Sequence, residues 1–415
     1  MKYLFTNGKG LSITKENLVE TGLPVISYGQ IHSKSNDGVH ITPDLIRYVD
    51  EEYLNTNSLS LVNENDFIFA DTSEDLDGCG NCVYDNLDIQ LFAGYHTIIL
   101  QSHTNQSNQY FAYLFKSDAW RKQIREQVTG VKLFSISQKI LKSVSVIVPP
   151  FVEQQKISAY LDSKCTEIDS VISKTKATIE EYKKLKQSVI TQAVTKGIIP
   201  NRPMKDSGIE WIGEIPQEWE VIKMKYLGKC RNGLTYSPDN LTDENNGTLV
   251  LRSSNIKDGK LVFTDNVYVN MNIRKELLVQ SGDILICSRN GSRKLIGKNA
   301  IIPSNLKASF GAFMMIFQCQ TPEYVKFILD SEIFSYYLGT FLTATINQLT
   351  TENFNNMQIV YCRNENEQQE IVNYLDEKCS EIDKLIAKKE QLLTEMENYK
   401  KSVIYEYVTG KKEVE

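Results

Sequence analysis

The sequence predicts an α+β protein in which a globular module of mixed α/β character, followed by a long helix, occurs twice. Two observations support this prediction: a helical segment occurs twice with about half of its positions identical, and each copy follows a region of short β-like runs. The chain has 415 residues, of which 41% are hydrophobic and 24% charged, a composition typical of folded globular proteins. This length favours two or three domains over one.

The repeat is clearest at the start of each helical segment. EQQKISAYLDSKCTEID begins at Glu153, and EQQEIVNYLDEKCSEID begins at Glu367, 214 residues later. The same offset holds without a gap as far as Thr195 and Thr409. Internal repeats at a fixed spacing indicate an architecture built from like units, so we expect two similar helices in similar roles.

Each copy places apolar residues at alternating steps of four and three, the heptad pattern of a coiled-coil seam. Glycines at Gly197 and Gly410 stand where helix ends are expected. A helix of about 43 residues would extend about 64 Å, which is too long for a compact core. We therefore expect a rod that pairs with the other copy, although periodicity alone also permits an oligomerisation stalk. The predicted helix-pairing seam comprises Leu161, Cys165, Ile168, Ile172, Ile179, Leu375, Cys379, Ile382, Ile386 and Leu393.

The two globular regions also resemble each other weakly. Lys2-Tyr-Leu matches Lys225-Tyr-Leu, Asn7-Gly8 matches Asn232-Gly233, and the apolar run from Asp66 matches the run from Asp283. The predicted domains are therefore 1–152 (first module), 153–207 (first helix and linker), 208–362 (second module) and 363–415 (second helix). The linker is rich in Pro and Gly and is expected to form an ordered strap with Trp211 and Trp219 buried.

The charge balance argues against DNA binding through bulk positive charge. The formal net charge is −6, whereas proteins that bind nucleic acid on their own usually carry a basic surface. The balance is compatible with a reader that acts inside a complex. No apolar run of about 18 residues predicts a membrane span, and the N-terminus lacks the apolar region of a secretory signal. We therefore expect a cytoplasmic location and no membrane partner.

Three features that could suggest catalysis or metal binding are not convincing. The eight cysteines do not form a disulfide framework and are expected to be free thiols. Cys79 and Cys82 have the spacing of a zinc knuckle, but no second Cys/His pair lies at a fitting distance. Val148-Pro-Pro-Phe151 is similar to an amino-methyltransferase motif, but valine replaces the Asn or Asp that would hold the target amino group. We predict no catalytic residue, metal or cofactor in this chain.

Several motifs together resemble the specificity (S) subunit of Type I restriction-modification systems, over nearly the whole chain. They are GIEWIGEIPQEWEVIKMKYL at 208–227, VPPFVEQQKI at 148–157, FADTSEDLDG at 69–78 and the two long helices. Two departures stand out. No counterpart of WIGEIPQEWEVIKM stands before Met1, and the second junction, 359–366, lacks the Pro-Pro of the first, so the chain entry into the second helix is expected to differ.

The resemblance implies a pseudo-two-fold tandem repeat: two mixed α/β target-recognition domains separated by two long antiparallel coiled-coil helices. Each domain would read one half of a split double-stranded DNA sequence. The helices would dock two methyltransferase (M) subunits, through which restriction/translocation (R) subunits attach. S-adenosylmethionine, ATP and Mg would belong to those partners. The alternatives are the recognition subunit of a related Type II-like system, a coiled-coil scaffold with no nucleic-acid role and, least favoured, a self-contained methyltransferase.

The candidate DNA contacts lie in loops that follow apolar strands or precede the segments leading into the long helices. Arginine suits a bidentate contact to guanine, and Asn or Gln suits adenine. For residues 289–294, the alternative to DNA contact is a solvated surface loop. Asp71, Glu74 and Asp75 could accept a hydrogen bond from cytosine, but their density favours a structural turn. In the loop at 345–348, only the last two residues are predicted to contact DNA. The predicted DNA-binding residues are Ser27, Tyr28, Gln30, Thr129, Lys132, Arg252, Ser253, Ser254, Asn255, Arg289, Asn290, Ser292, Arg293, Lys294, Asn347 and Gln348.

Overall fold

A computed structural model describes residues 1–87, 89–103, 105–342 and 347–414. The chain forms two compact units: Met1–Lys176 with Gln391–Glu415, and Ala177–Glu390. Both boundaries fall inside the long helices. Each unit therefore contains one globular module and a segment of each helix, and the predicted α+β class with two modules is confirmed.

The module of the first unit is built on two four-stranded sheets. One has the order β1-β9-β5-β7 and is antiparallel, and the other has the order β3-β2-β8-β4 with β2 parallel to β8. A two-stranded ladder joins β10 to β6. The strands are β1 (Phe5–Lys9), β2 (Leu23–Ile26), β3 (Arg47–Val49), β4 (Leu61–Val62), β5 (Phe67–Ala70), β6 (Thr72–Ser73), β7 (Cys82–Tyr84), β8 (Leu91–Ala93), β9 (Thr97–Ser102) and β10 (Phe134–Ser135).

Strand β5 separates two of the hydrophobic cores of this module. All four of its residues are buried, and successive side chains of a strand point to opposite faces. Phe67 and Phe69 enter an aromatic core with Trp120, whereas Ile68 and Ala70 enter a second, aliphatic core. The helices are α1 (Tyr28–Ile31), α2 (Tyr53–Thr56), α3 (Asn108–Lys116), α4 (Asp118–Arg125), α5 (Gln138–Ser143) and α6 (Phe151–Lys196).

The module of the second unit repeats this arrangement. Its sheets have the orders β14-β23-β20-β21 and β15-β19-β16-β22, with β16 parallel to β22. Its strands and helices are β11 (Met204–Asp206), β12 (Glu214–Pro216), β13 (Glu220–Lys223), β14 (Gly228–Asn232), β15 (Leu241–Thr242), β16 (Thr248–Leu251), β17 (Ile256–Lys257), β18 (Lys260–Leu261), β19 (Tyr268–Val269), β20 (Ile284–Cys287), β21 (Asn299–Ile301), β22 (Ala308–Phe310), β23 (Met314–Cys319), α7 (Pro322–Leu329), α8 (Glu332–Phe341), α9 (Thr351–Asn356), β24 (Gln358–Tyr361) and α10 (Glu365–Val408).

Two details of the sequence comparison are corrected by the structure. The amides of Gly10 and Gly233 donate to the first carbonyls of β9 and β23, at 3.2 and 3.3 Å, so Gly10 is the counterpart of Gly233 and the predicted match with Gly8 is two residues out of register. In the linker, Trp219 is buried as predicted, but Trp211 lies at the surface, 37% exposed, with its ring stacked on Tyr336 at 4.3 Å.

The two predicted long helices are confirmed, with 46 residues in α6 and 44 in α10. Gly197 and Gly410 follow them with positive φ, as expected where a helix ends in a left-handed residue. Within the first unit, Asp169 binds Lys400 at 2.6 Å, and within the second unit, Lys186 binds Asp383 at 2.7 Å. These two pairs occupy equivalent repeat positions. In the first unit the ring of Tyr160 also lies 4.4 Å from that of Tyr407, and the two contacts together show that the helices run antiparallel there.

The predicted seam faces inward. Leu161 and Cys165 belong to the core of the first unit, and Leu375 and Cys379 belong to the core of the second. Ile168, Ile179 and Ile382 are also buried, whereas Ile172, Ile386 and Leu393 are half-buried. All eight cysteines are free thiols. The heptad stripe is therefore covered within the chain.

Both helix entries use the same buried glutamine. The amide of Gln154 donates to the carbonyl of Pro149 at 2.8 Å, and the amide of Gln368 donates to the carbonyl of Cys362 at 2.6 Å. A backbone carbonyl supplies the acceptor in both copies, but it lies five residues before Gln154 and six residues before Gln368. In addition, the paired strand β24 leads into α10, whereas the described residues 144–150 that lead into α6 form no strand. The chain entry into the second helix therefore differs from the first, as expected.

Candidate nucleic-acid interface

An equivalent edge of each module gathers most of the predicted contact loops. In the first unit this edge consists of the loops that follow β2 and β5, the loop that precedes β9, and strand β10. In the second unit it consists of the loops that follow β16 and β20, the loop that precedes β23, and residues 347–348. The amide of Ile136 donates to the carbonyl of Asp71 at 2.7 Å, and the amide of Leu349 donates to the carbonyl of Ser288 at 2.8 Å. The same backbone bond thus closes both edges.

Aromatic rings dominate the edge of the first unit. The ring of Tyr28 lies 5.6 Å from Tyr95, 5.5 Å from His96 and 6.3 Å from His32. The imidazole of His96 is 59% exposed and lies 3.3 Å from the carboxylate of Asp71. Sequence reasoning selected Tyr28 but missed the other three rings. For Tyr95 and His96 the available signal was their position directly before an apolar strand.

The acidic residues of this edge accept hydrogen bonds from neighbouring residues of the protein. Asp71 accepts from the Thr72 hydroxyl at 2.8 Å, and Asp75 accepts from the Gly78 amide at 2.6 Å. The structural-turn interpretation of this segment is therefore supported. Gln30 is half-buried, and its side-chain oxygen accepts from the amide of Ser27 at 3.2 Å.

The loop at 129–133 reaches the same edge from the other end of the module. Thr129 and Lys132 are exposed, as are the apolar side chains of Val131 and Leu133. The ladder between β10 and β6, in which Ser135 lies opposite Thr72, holds this loop beside the end of β5. These two predicted contact residues are therefore available to a ligand.

Arg289 is the most prominent side chain at the edge of the second unit. Its amide donates to the carbonyl of Phe313 at 3.1 Å, and its guanidinium carbon lies 5.3 Å from the centre of that ring. Phe313 is itself 57% exposed. Gln348 lies opposite Arg289 in an antiparallel bridge and is exposed. A cation, an aromatic face and an amide therefore share one surface, and sequence reasoning missed Phe313.

Three further predicted residues meet beside Arg289. The amide of Asn290 donates to the hydroxyl of Ser253 at 3.1 Å, and the amide of Asn347 donates to the carbonyl of Gly291 at 3.4 Å. Ser292 is exposed, and its backbone amide donates to Asn290 at 2.9 Å. The first two residues of the predicted loop at 345–348 lie outside the described residues.

Not all basic residues of this region are equally available. Arg252 forms an ion pair with Asp265 at 2.8 Å, and Arg293 donates to the carbonyl of Gly339 at 3.2 Å. Lys294 and Ser254 are exposed. Each paired arginine would have to exchange a protein partner for a ligand.

Two predicted contact residues are corrected. Ser27 and Asn255 are completely buried. The Asn255 side chain accepts from the amide of Arg252 at 2.9 Å and donates to the carbonyl of Val262 at 3.1 Å. Because neither side chain reaches the surface, both residues support their loops and cannot contact a ligand in this conformation.

No group of acidic, His or Cys side chains that could hold a metal ion occurs within the part of the chain that the structure describes. Cys79 and Cys82, the zinc-knuckle candidates, are core residues, and burial raises the pKa of the Cys82 thiol to about 12. Among the described residues, no helix combines the length and apolar character needed to span a bilayer.

Two like modules on paired long helices are the architecture of a specificity subunit. The family model described as the Type I restriction modification DNA specificity domain matches residues 4–181 and 216–395. The chain belongs to this family, whose members provide DNA recognition in Type I restriction-modification systems.

Individual relatives agree with this assignment. The specificity subunit of the Type I restriction enzyme MjaVIII from Methanocaldococcus jannaschii is 26% identical over 72% of this chain and 69% of its own length. That of StySPI from Salmonella potsdam is 25% identical over 48% of this chain and 44% of its own length. A chain solved in work on complex assembly of the type I R-M system has a TM-score of 0.70 at 15% identity, covering 98% of this chain and 96% of that one. This likeness shows the shared fold.

Proposed function

We propose that each module reads one half of a bipartite double-stranded DNA target while the paired helices dock two methyltransferase subunits. R subunits would attach through the M subunits, and S-adenosylmethionine, ATP and Mg²⁺ would act in those partners. This chain would contribute recognition and no catalytic group. A DNA-recognition subunit of a restriction system needs two such readers if its target is split.

The observation that carries the proposal is that the two edges share backbone bonds but differ in side chains. His96 and Phe313 occupy the same position before their strands, and Thr72 and Arg289 occupy the same position after theirs. A shared backbone arrangement that carries different exposed side chains is suited to two modules that recognise different DNA sequences. Arginine at such an edge favours guanine, and Asn or Gln favours adenine.

The helices support the docking part of the proposal because their solvent-facing residues are also repeated. Lys164 binds Glu167 at 2.8 Å, and Lys378 binds Glu381 at 3.0 Å, at equivalent positions of the two copies. Exposed ion pairs of this kind contribute little stability. Their repetition therefore favours a shared partner-binding surface, with one site for each methyltransferase subunit.

The direct test is to express the chain with its cognate methyltransferase subunit in a host without DNA methylation and to sequence the modified bases. We expect a split motif with a methylated base in each half. Exchanging residues 208–362 for the corresponding domain of another specificity subunit should change one half only. A change in both halves would show that the modules do not read independently.

The alternatives give different results in the same experiment. If the chain self-associates and forms no complex with the methyltransferase, the result favours a scaffold without a nucleic-acid role. If the complex forms and methylates, addition of the restriction subunit separates a Type I system from a related Type II-like one, because only the former translocates DNA before cleavage.

A further inference from the structure

One aromatic contact of the long helices differs between the two units. In the first unit, the ring of Tyr160 on α6 packs against the ring of Tyr407 on α10, with the ring centres 4.4 Å apart. The repeat counterparts in the second unit are Tyr374 and Ala193, so a methyl group stands where the first unit has the second ring. Tyr160 is accordingly half-buried, whereas Tyr374 is exposed.

A cavity of about 500 Å³ lies beside Ala193 in the second unit. Its walls are formed by Tyr374, by the last two turns of α6, and by residues 197–202 and 204 of the linker that follows. Pockets that enclose small ligands measure about 300–1,000 Å³. The cavity therefore has room for an aromatic side chain, and Tyr374 offers that side chain a ring to pack against.

The linker wall of this cavity is anchored to the rest of the second unit. Arg202 forms ion pairs with Glu367 and, at 3.0 Å, with Glu218. Met204 lies in the ladder between β11 and β12. Gly197 makes the turn out of α6 with a φ of +75°, and an added Cβ there would lie 2.8 Å from the guanidinium of Arg202. The cavity is thus preformed, and a preformed site loses less conformational entropy when it is filled.

The cavity borders a helix face that occurs in both units. Steps of four, three and four place four residues on one side of a helix. On α10 they are Tyr374, Lys378, Glu381 and Leu385, and on α6 they are Tyr160, Lys164, Glu167 and Val171. In both copies the second and third residues form an ion pair, and the fourth is an aliphatic side chain that is 42% exposed. Apolar side chains exposed at the same place of both copies indicate two like interaction surfaces.

We propose that the cavity receives an aromatic side chain of the methyltransferase subunit that docks on the second unit. The inference rests on the proposed docking of two methyltransferase subunits, because two like helix faces fit two copies of one partner. The inserted ring would pack on Tyr374 as Tyr407 packs on Tyr160, and aromatic pairs contribute more than the area that they bury. Lys196 lines the cavity and is exposed, which favours an acidic residue beside the inserted ring.

The two docking sites would then differ in affinity. In the first unit, the same side chain of the other methyltransferase copy would meet Tyr160 and Tyr407 already in contact with each other, so it would lie on their surface. Aromatic side chains that fill fitted pockets dominate the binding energy of interfaces. We therefore expect the second unit to bind its methyltransferase subunit more tightly than the first unit does.

The test uses the full chain with its cognate methyltransferase subunit. Native mass spectrometry gives the stoichiometry, and titration calorimetry gives the two dissociation constants. Ala193→Tyr introduces the ring that the first unit has and should fill the cavity. We expect this variant to weaken one of the two sites by about tenfold or more and to leave the other unchanged.

A second variant and a matched control accompany this change. Tyr374→Ser removes the ring at an exposed position and should weaken the same site by a similar factor, and it decides the question alone if Ala193→Tyr does not fold. The control is Ala177→Tyr, the same exchange at an exposed position on the opposite side of α6. We expect the control to leave both dissociation constants unchanged.

The outcomes separate a failure of this inference from a failure of docking. If the unchanged chain binds two methyltransferase subunits and neither Ala193→Tyr nor Tyr374→Ser alters a dissociation constant, docking stands and the cavity has no such role. Equal weakening of both sites, or a like effect of Ala177→Tyr, would also overturn the inference. If the unchanged chain binds no methyltransferase subunit, the docking proposal fails and this inference fails with it.

Discussion

Replacement of Arg289 tests whether the edge of the second module reads DNA. The side chain is exposed and contacts the ring of Phe313, so Arg289→Ala should change the free energy of unfolding by no more than about 0.5 kcal/mol. If the guanidinium contacts a base edge, the same change should weaken recognition of one half-site by about 1–3 kcal/mol, or about 5- to 150-fold.

Arg289→Lys separates the two ways in which the side chain could bind. Lysine keeps the charge but loses the bidentate fork. A base contact predicts that Arg289→Lys resembles Arg289→Ala in specificity. A phosphate contact predicts that lysine retains affinity and that only the alanine variant reduces the salt dependence, by about one unit of slope.

The assay is competition binding by the complex with the methyltransferase subunit, using duplexes changed at each position of either half-site. The matched control is Arg274→Ala, an exposed arginine of the same module that pairs with Glu276 at 3.4 Å. The reasoning is refuted if Arg289→Ala, Arg274→Ala and the unchanged chain have the same affinity, specificity and salt slope.

Three other predictions concern stability and spacing. Burial, followed by repulsion from Asp66 and Glu64, raises the pKa of Asp85 to about 7. The folded state therefore binds the proton of this carboxyl group more tightly than the unfolded chain does. The free energy of unfolding consequently falls as the pH rises from about 4 to about 7. Asp85→Asn should add about 2–4 kcal/mol at pH 8 and nothing at pH 4 in urea titrations; an equal gain at both pH values would contradict this origin. Trp219→Ala removes a buried indole and its bond to Glu367, and should cost about 3–5 kcal/mol of unfolding free energy; a loss below 1 kcal/mol would show that the strap is not part of the core. Residues 176 and 390 are equivalent repeat positions, and inserting one heptad after each adds about 10 Å to each helix. This double insertion should lengthen the gap in the methylated motif without changing either half-sequence, and an unchanged gap would refute the spacer role. Insertion in one helix alone is the control, because it breaks the pairing of the two helices.

The long helices and the repeat were predictable because their signals are local. Helical period, the absence of Pro and Gly, and a ten-residue seam are all properties of neighbouring residues, and the seam residues are buried or half-buried as predicted. The duplication of whole modules was also visible, but Asn7-Gly8 was matched two residues out of register. Strand register depends on the hydrogen-bond partner, here Thr97 for Gly10, and the partner is remote in sequence.

The candidate site was predictable only in part, for the same reason. Sequence alone determined which loops follow buried strands, and it selected Tyr28 and Arg289 because their residue types suit DNA. It could not show that Ser27 and Asn255 point into the protein, or that His96 and Phe313 stand beside the selected residues. Local sequence determines the type and the ends of an element. Only tertiary packing decides which face of a loop meets solvent, because that depends on the strands and helices that cover the other face.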